Sequence, residues 1–327
     1  MSAVFDALPG IEVPVGSISS GLDQMWAAAA AEGRPSPPTE DAKATQVNFV
    51  LHLGLRTDTG DAVRQFETAV RFSRLYPCRV VVLCPLKEDS EVAKIRAKAY
   101  GECSVGKSVH DTRCCEFVML SYPRNARAYL ENQVSVCLST DLPLYYWAHR
   151  FSESARLADY RYLLTAAKRV LIDSATAPAD AIGYPWPRPE VVRDLALARL
   201  LPVRHTIGQF LSRYPAEALA RGLRSITLAH GTEVSAEARV LLAWVKDRLG
   251  DCGAVGEACE LSQPADLAPR AFALSFVYGD KRFFAWNADL DSGHASLDAD
   301  LGTGRTSMPA AVALLSPESA LSEAMFF

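Results

Sequence analysis

Apolar and polar positions alternate first at Val47, Phe49, Leu51, Leu53 and Leu55, with Asn48, His52 and Gly54 between them, which is the period of a strand. Residues 61–75 then set Val63, Phe66 and Val70 at helical spacing, and Arg79-Val-Val-Val-Leu-Cys84 follows as a short continuous apolar run. Strand, helix and buried strand make a βαβ unit. The pattern continues with a strand from Cys115 to Leu120, a helix from Asn125 to Val136 and an apolar segment from Pro143 to Ala148. A helix from Ala155 to Lys168 and a strand from Arg169 to Ser174 complete it. This series predicts an α/β domain over residues 46–183, a mostly parallel, Rossmann-like sheet with helices on both faces.

On either side the pattern changes. Residues 1–45 read as an N-terminal arm with one short helix, Gly21 to Ala31, with Ser20 as its N-cap and Gly33 just beyond its end. The run Tyr184-Pro-Trp-Pro-Arg-Pro189 excludes helix and interior strand and predicts a Pro-rich linker at 184–189. Residues 190–327 read as a second, α+β domain: helices from Glu190 to Leu201 and from Val203 to Arg213, then a strand from Arg224 to Ala229. A helix from Ala236 to Leu249 follows, capped by Ser235 ahead and Gly250 behind. Alternation at Phe272, Leu274, Phe276 and Tyr278, again from Phe283 to Trp286, and at Ala295, Leu297 and Ala299 predicts an antiparallel meander, with a C-terminal helix from Pro317.

Composition narrows the function classes. The chain has 327 residues, 49% of them hydrophobic and 22% charged, enough apolar material for two ordinary cores. Its 34 Lys and Arg against 38 Asp and Glu leave no basic excess to attract a nucleic acid or an anionic membrane. The N-terminus lacks the basic and apolar regions of a secretory signal, and its only long apolar run, Trp26 to Ala31, is far short of the ~20 residues that span a bilayer, so a cytoplasmic protein is expected. Eight cysteines are dilute in a chain of this length and are expected to be mostly small buried hydrophobes. With no CxxC pair and six scattered histidines, no metal site and no cofactor are expected.

Among the motifs, Gly101-Glu-Cys-Ser-Val-Gly-Lys107-Ser108 matches GxxxxGK[ST], but a phosphate-cradling loop follows a buried strand and opens a helix. Residues 91–100 read as charged and helical or irregular, so the segment is expected to be an exposed loop between strands. There is no GxSxG elbow, no GxGxxG after the first strand and no catalytic constellation. Polar groups at strand ends are the remaining candidates. Asp173, Ser174, Asp141 and Trp147 with Arg150 are expected to converge on the carboxyl edge of the sheet, where open parallel sheets take ligands.

An ordered set of segments carries a family resemblance: Leu75-Tyr-Pro-Cys-Arg-Val-Val-Val-Leu83, Cys114-Cys-Glu116, Asp141-Leu-Pro-Leu-Tyr-Tyr-Trp147, Lys168-Arg-Val-Leu-Ile-Asp-Ser174, Asp194-Leu-Ala-Leu-Ala-Arg-Leu200, Pro202-Val-Arg204 and Leu241-Leu-Ala-Trp-Val-Lys-Asp-Arg-Leu-Gly250. In this order they resemble the bacterial glucose-6-phosphate dehydrogenase assembly proteins, the OpcA family. The chain departs from the family's pattern at Tyr146, Leu197 and Val203, where the family favours tryptophan, which marks a divergent member. The resemblance implies interface or crevice residues at Arg79, Glu116, Asp141, Trp147, Asp173, Ser174, Asp194, Arg199 and Arg204.

It also implies a non-catalytic partner that binds glucose-6-phosphate dehydrogenase, promotes its active oligomer and so supports the oxidative pentose phosphate pathway. Differential affinity for the active state suffices for that, with a coupling of ~1–3 kcal/mol. Thioredoxin is a further partner implied by cyanobacterial relatives, with Cys114 and Cys115 as redox candidates. Two other classes stay open: a nucleotide- or sugar-phosphate-binding enzyme or sensor acting at the first domain's strand ends or at Gly101–Ser108, and a thiol-based redox regulator.

Overall fold

The structure, a computed structural model, describes residues 3–37, 45–86, 94–105, 112–181 and 183–327. They form two compact units, Met1–Leu195 with Pro317–Phe327, and Ala196–Ser316. The first unit contains α1 (Ala3–Ala7), β1 (Ile11–Val13), α2 (Ile18–Ala31), β2 (Val47–Leu53), α3 (Thr59–Leu75), β3 (Cys78–Pro85), β4 (Arg96–Val105) and β5 (Thr112–Tyr122). It continues through α4 (Arg127–Cys137), β6 (Leu144–His149), α5 (Arg161–Ala166), β7 (Arg169–Ile172) and β8 (Val192–Asp194). Its eight-stranded sheet has the order β1-β4-β5-β3-β2-β6-β7-β8. From β5 to β8 every pairing is parallel, and β4 and β1 extend that edge antiparallel.

Taken alone, the parallel strands run 3-2-1-4-5-6 in chain order, the doubly wound arrangement whose switch point lies between β2 and β6. One face of the sheet presents Val50, Val81, Val118 and Tyr146 to α2, α4 and α5. On the other, Phe72 of α3 packs on Phe49, Phe66 of the same helix on Phe117. With both faces covered, all seven residues of β2 are buried, polar ones included. Asn48 meets its hydrogen-bonding needs locally, its amide donating to Ser139 O at 2.7 Å and Leu142 O at 3.2 Å and accepting from Ser139 N at 3.0 Å.

The second unit follows α6 (Leu195–Arg199) with α7 (Leu201–Leu211), α8 (Ala216–Ala220), β9 (Leu223–His230), α9 (Ser235–Asp251), β10 (Ala258–Ser262), β11 (Ala271–Tyr278), β12 (Phe283–Asp289), β13 (His294–Asp300) and β14 (Thr306–Ala311). Its sheet, in the order β10-β9-β11-β12-β13-β14, is antiparallel except for β10 on β9. The meander expected from the alternating aromatics is therefore β11 to β14. The last helix, α10 (Pro317–Phe326), belongs to the first unit, where Phe326 packs on Phe72, Tyr76 and Tyr145.

Several elements differ from the sequence reading, each for a physical reason. The stretch 184–189 lies inside the first unit, because the chain beyond its prolines turns back to pair β8 with β7. The predicted helix from Glu190 is consequently a 3-10 turn at Pro189–Val191, then β8, then α6. The N-terminal arm is part of the sheet, since β1 pairs with β4 and α2 lies against β4. In α2, Ser20 is an interior residue, because the helix starts at Ile18. Residues 96–105 form a strand, and Gly101 sits in mid-strand because the Trp26 indole occupies the space a Cβ would need. In α9, Ser235 is the first helical residue behind Val234 and Gly250 lies in the last turn; the chain leaves the helix at Gly253, with φ +94°.

Candidate functional site

The residues expected at one crevice divide between opposite edges of the parallel sheet. Arg150 follows β6, and Asp173 and Ser174 follow β7, at the carboxyl edge, whereas Asp141 precedes β6 at the amino edge. The expected convergence is thus corrected: a residue before a parallel strand and one after it stand at opposite ends. Asp173 caps its own loop, Oδ1 accepting from Ala175 N at 3.0 Å, and Asp194 Oδ1 accepts from Ser174 N at 3.0 Å. Trp147 is buried in mid-strand, stacked on Phe49 and edge-on to His149.

At the switch point the carboxyl edge is filled by the chain itself. The β2–α3 turn is where a doubly wound fold would offer backbone N–H groups and a helix N-terminus to a pyrophosphate. Here Asp58 caps α3, accepting from Asp61 N at 2.8 Å, and Asp61 stands in the first turn, so two carboxylates already use that positive end. Asp61 is buried and accepts from His149 Nε2 at 2.7 Å and Gln65 Nε2 at 3.1 Å. Arg150 Nε lies 2.8 Å away without the alignment of a hydrogen bond, acting as a neighbouring charge. Burial would raise the Asp61 pKa, but the hydrogen bonds from His149 and Gln65 and the charges on His149 and Arg150 outweigh it and hold the carboxyl well below the usual range.

Arg150 is the one described non-glycine residue with positive φ, +46°. Gly54 faces it so closely that a Cβ would lie 2.5 Å from Arg150 O and Phe151 N. On the other side of the sheet His52 Nδ1 meets Tyr146 Oη at 2.6 Å, and Tyr122 and Tyr160 share a 2.8 Å hydrogen bond. Burial first, then the Arg127 charge, lowers the His52 pKa to about 3, so the ring stays neutral. Between His52, Gly54, Phe151 and Tyr160 there remains a cavity of about 20 Å³, room for a water molecule.

The amino edge is open. A cavity of about 420 Å³ lies between α2 and the end of α4, over the start of β3 and β5. Three of the family-matched candidates meet there: Arg79, Glu116 and Asp141. Arg79 and Glu116 are partners in register on adjacent parallel strands, and Arg79 Nη2 donates to Glu116 Oε2 at 2.7 Å. The other carboxylate oxygen accepts from Trp26 Nε1 at 3.0 Å. Glu116 is 6% exposed, so this buried charge is held by a guanidinium and an indole at once. Ile18, Leu22 and Val118 give the cavity an apolar floor, and Asp23, Thr45 and Ser139 complete polar walls.

The remaining candidates lie elsewhere. In the second unit Arg199 Nε pairs with Glu237 at 2.6 Å, both largely buried, and Arg204 stands on α7. Lys107 and Ser108 of the GxxxxGK[ST] match lie outside the described residues, while its beginning, Gly101 to Val105, is β4. The expectation that the cysteines are buried thiols holds for Cys78, Cys84, Cys115 and Cys137. It is corrected for Cys103 and Cys114, which form a disulfide between directly paired positions of β4 and β5. Cys115 points to the opposite face and donates to Ser73 O at 3.3 Å; a hydrogen bond with Cys78 lowers its pKa to about 7 despite burial.

Sequence reasoning passed over Asp61, His149, His52 and Trp26. For Asp61 a signal was present: Asp58 followed three residues later by Asp61 is a helix-start pattern where a dinucleotide fold has glycines. Among the described residues no group of three His, Cys, Asp or Glu is placed to hold a metal ion, and no helix is long and apolar enough to cross a membrane.

Against known proteins, residues 69–183 match the family described as glucose-6-phosphate dehydrogenase subunit N-terminal domain. The chain is 25% identical over 179 residues to a Synechocystis protein, by name an OxPP cycle protein, OpcA, covering 53% of this chain and 37% of that one. A Nostoc punctiforme protein of the same name is 22% identical over 186 residues, covering 53% and 38%. The chain therefore spans well under half the length of these relatives. A glucose-6-phosphate 1-dehydrogenase structure from Mycobacterium avium aligns over 86% of each chain with a TM-score of 0.46 and 9% identity.

Proposed function

We propose, from the premise that residues 69–183 make this chain a divergent member of the OpcA family, that it is a non-catalytic partner of glucose-6-phosphate dehydrogenase. In this reading it favours the enzyme's active oligomer and so supports the oxidative pentose phosphate pathway. The family match over residues 69–183 is the observation that carries it, since that stretch holds β3 to β7 and with them Arg79, Glu116, Asp141, Trp147, Asp173 and Ser174. The filled switch point agrees with it: Asp58 and Asp61 already occupy the start of α3, where such a sheet would offer free backbone N–H groups to a dinucleotide. Binding then acts through surfaces, and a coupling of ~1–3 kcal/mol to the active state gives a ~5–150-fold shift in affinity. Titrating the purified chain into glucose-6-phosphate dehydrogenase of the same organism tests this. A saturable rise in activity supports the reading, and an unchanged kcat/KM across the titration sinks it.

A second reading, thiol-based control, is favoured by the Cys103–Cys114 disulfide in a strand pair whose next residue, Cys115, neighbours Cys78. It requires that stimulation of the dehydrogenase differ between the oxidised and reduced chain; equal titration curves in the two states remove it.

A further inference from the structure

The second unit holds a cavity of about 410 Å³ between α7 and α9, which reaches β11 at Phe276. Its lining residues all belong to that unit and lie outside the stretch 69–183 that carries the family match. Ile207, Leu219, Val245, Leu249 and Phe276 are buried and form its floor, and the half-buried Leu211, Tyr214 and Trp244 stand around it. The lining is almost wholly apolar, and the charged groups at the rim are paired: Arg248 is held by Asp247 and, at 2.9 Å, by Asp251. Ser212 Oγ donates to Gln209 O at 3.0 Å. The carbonyls of Gly208 and Leu249, in the last turns of the two helices, accept from Ser212 N at 2.9 Å and Ala254 N at 3.0 Å.

A glycine supplies an independent observation. Gly208 lines the cavity from within α7, where glycine is less favourable than alanine. Its φ is not positive and no neighbour crowds it, since a Cβ built there would meet nothing within 4 Å. The helix therefore leaves bare backbone, its carbonyl already hydrogen-bonded, on which a flat ring can lie. Water gains few hydrogen bonds from such walls, whereas an apolar solute releases it and meets carbon on most sides. A charged solute would exchange its hydration for groups that are already paired. The rings of Tyr214, Trp244 and Phe276 add faces and edges for aromatic contact, and the volume is in the range of small-molecule sites. We infer that this cavity binds a small, neutral, ring-bearing apolar molecule. The inference does not rest on the partnership with the dehydrogenase, and either can fail without the other.

Fluorescence titration of the full chain tests it, with phenylnaphthylamine as a neutral probe and anilinonaphthalene sulfonate as the same ring system carrying a negative charge. Saturable binding of phenylnaphthylamine is expected, with the sulfonate weaker by about tenfold or more. Gly208→Leu extends a side chain from a position where its Cβ stands in open space, and lowers phenylnaphthylamine affinity by about tenfold. Leu211→Gln, at a half-buried wall position, weakens it severalfold and serves where the leucine variant does not fold. No saturable binding of phenylnaphthylamine overturns the inference. So does equal or tighter binding of the sulfonate, or unchanged phenylnaphthylamine binding in a folded Gly208→Leu or Leu211→Gln protein.

Discussion

The two edges of the parallel sheet share six strands and differ in almost everything else. At the carboxyl edge, where doubly wound folds keep their ligand crevice, Asp61, His149 and Arg150 fill one side and His52, Tyr146 and Tyr160 the other, leaving room for about one water. At the amino edge, the Arg79–Glu116–Trp26 group borders an open cavity of about 420 Å³. A strand order associated with nucleotide binding thus serves here with its usual site closed by the chain's own charges. The comparison teaches that strand order locates where a site would be, while the side chains at that edge decide whether one exists.

The sharpest way to break the comparison is at Asp61. Asp61→Ala leaves the buried His149 and the Gln65 amide without the acceptor they share and the partly exposed Arg150 without its anion, and urea unfolding is expected to show a loss of about 3–5 kcal/mol. Glu116→Ala at the open edge is expected to cost less, about 1–3 kcal/mol, because the partly exposed Arg79 regains water. A larger loss at Glu116 than at Asp61 would reverse the assignment of closed and open edges.

His52 gives the closed edge a pH signature. Its pKa in the folded protein, about 3, lies below that of the unfolded chain, near 6.5. The unfolded state therefore takes up a proton that the folded state refuses, so stability is full above pH 6.5 and falls as the pH drops towards 3. The slope reaches about 1.4 kcal/mol per pH unit for one such group. His52→Gln should remove about one proton from that dependence, and an unchanged slope would show that His52 is not sealed from water.

The smallest expected effect is at Arg150. Arg150→Gly relieves a left-handed residue but gives up a half-exposed ion pair, and the two nearly cancel, leaving stability within about 1 kcal/mol of the parent. A loss of several kcal/mol would mean that Arg150 carries the Asp61 cluster itself.

Much of the parallel sheet was legible, because β2, β3, β5, β6 and β7 are apolar runs punctuated by helices, and local pattern decides such strands. β4 and β8 were not legible. Arg96-Ala-Lys-Ala-Tyr alternates charged and small residues, and the strand exists because β5 offers it a hydrogen-bonding edge. Val192–Asp194 is three residues long and owes its strand state to β7. In the site, Arg79, Glu116 and Asp141 are three of the nine residues the resemblance implied, and their meeting at the amino edge depends on strand register, which no spacing reveals. Trp26 lies 90 residues from Glu116 in the chain, so its hydrogen bond was beyond any local reading.

The proposed binding of glucose-6-phosphate dehydrogenase is tested most directly by sedimentation velocity on the two purified proteins, separately and mixed. A faster, dehydrogenase-containing species is expected to appear only in the mixture and to grow with added chain. Two boundaries at the positions of the separate proteins, unchanged at every ratio, would contradict it.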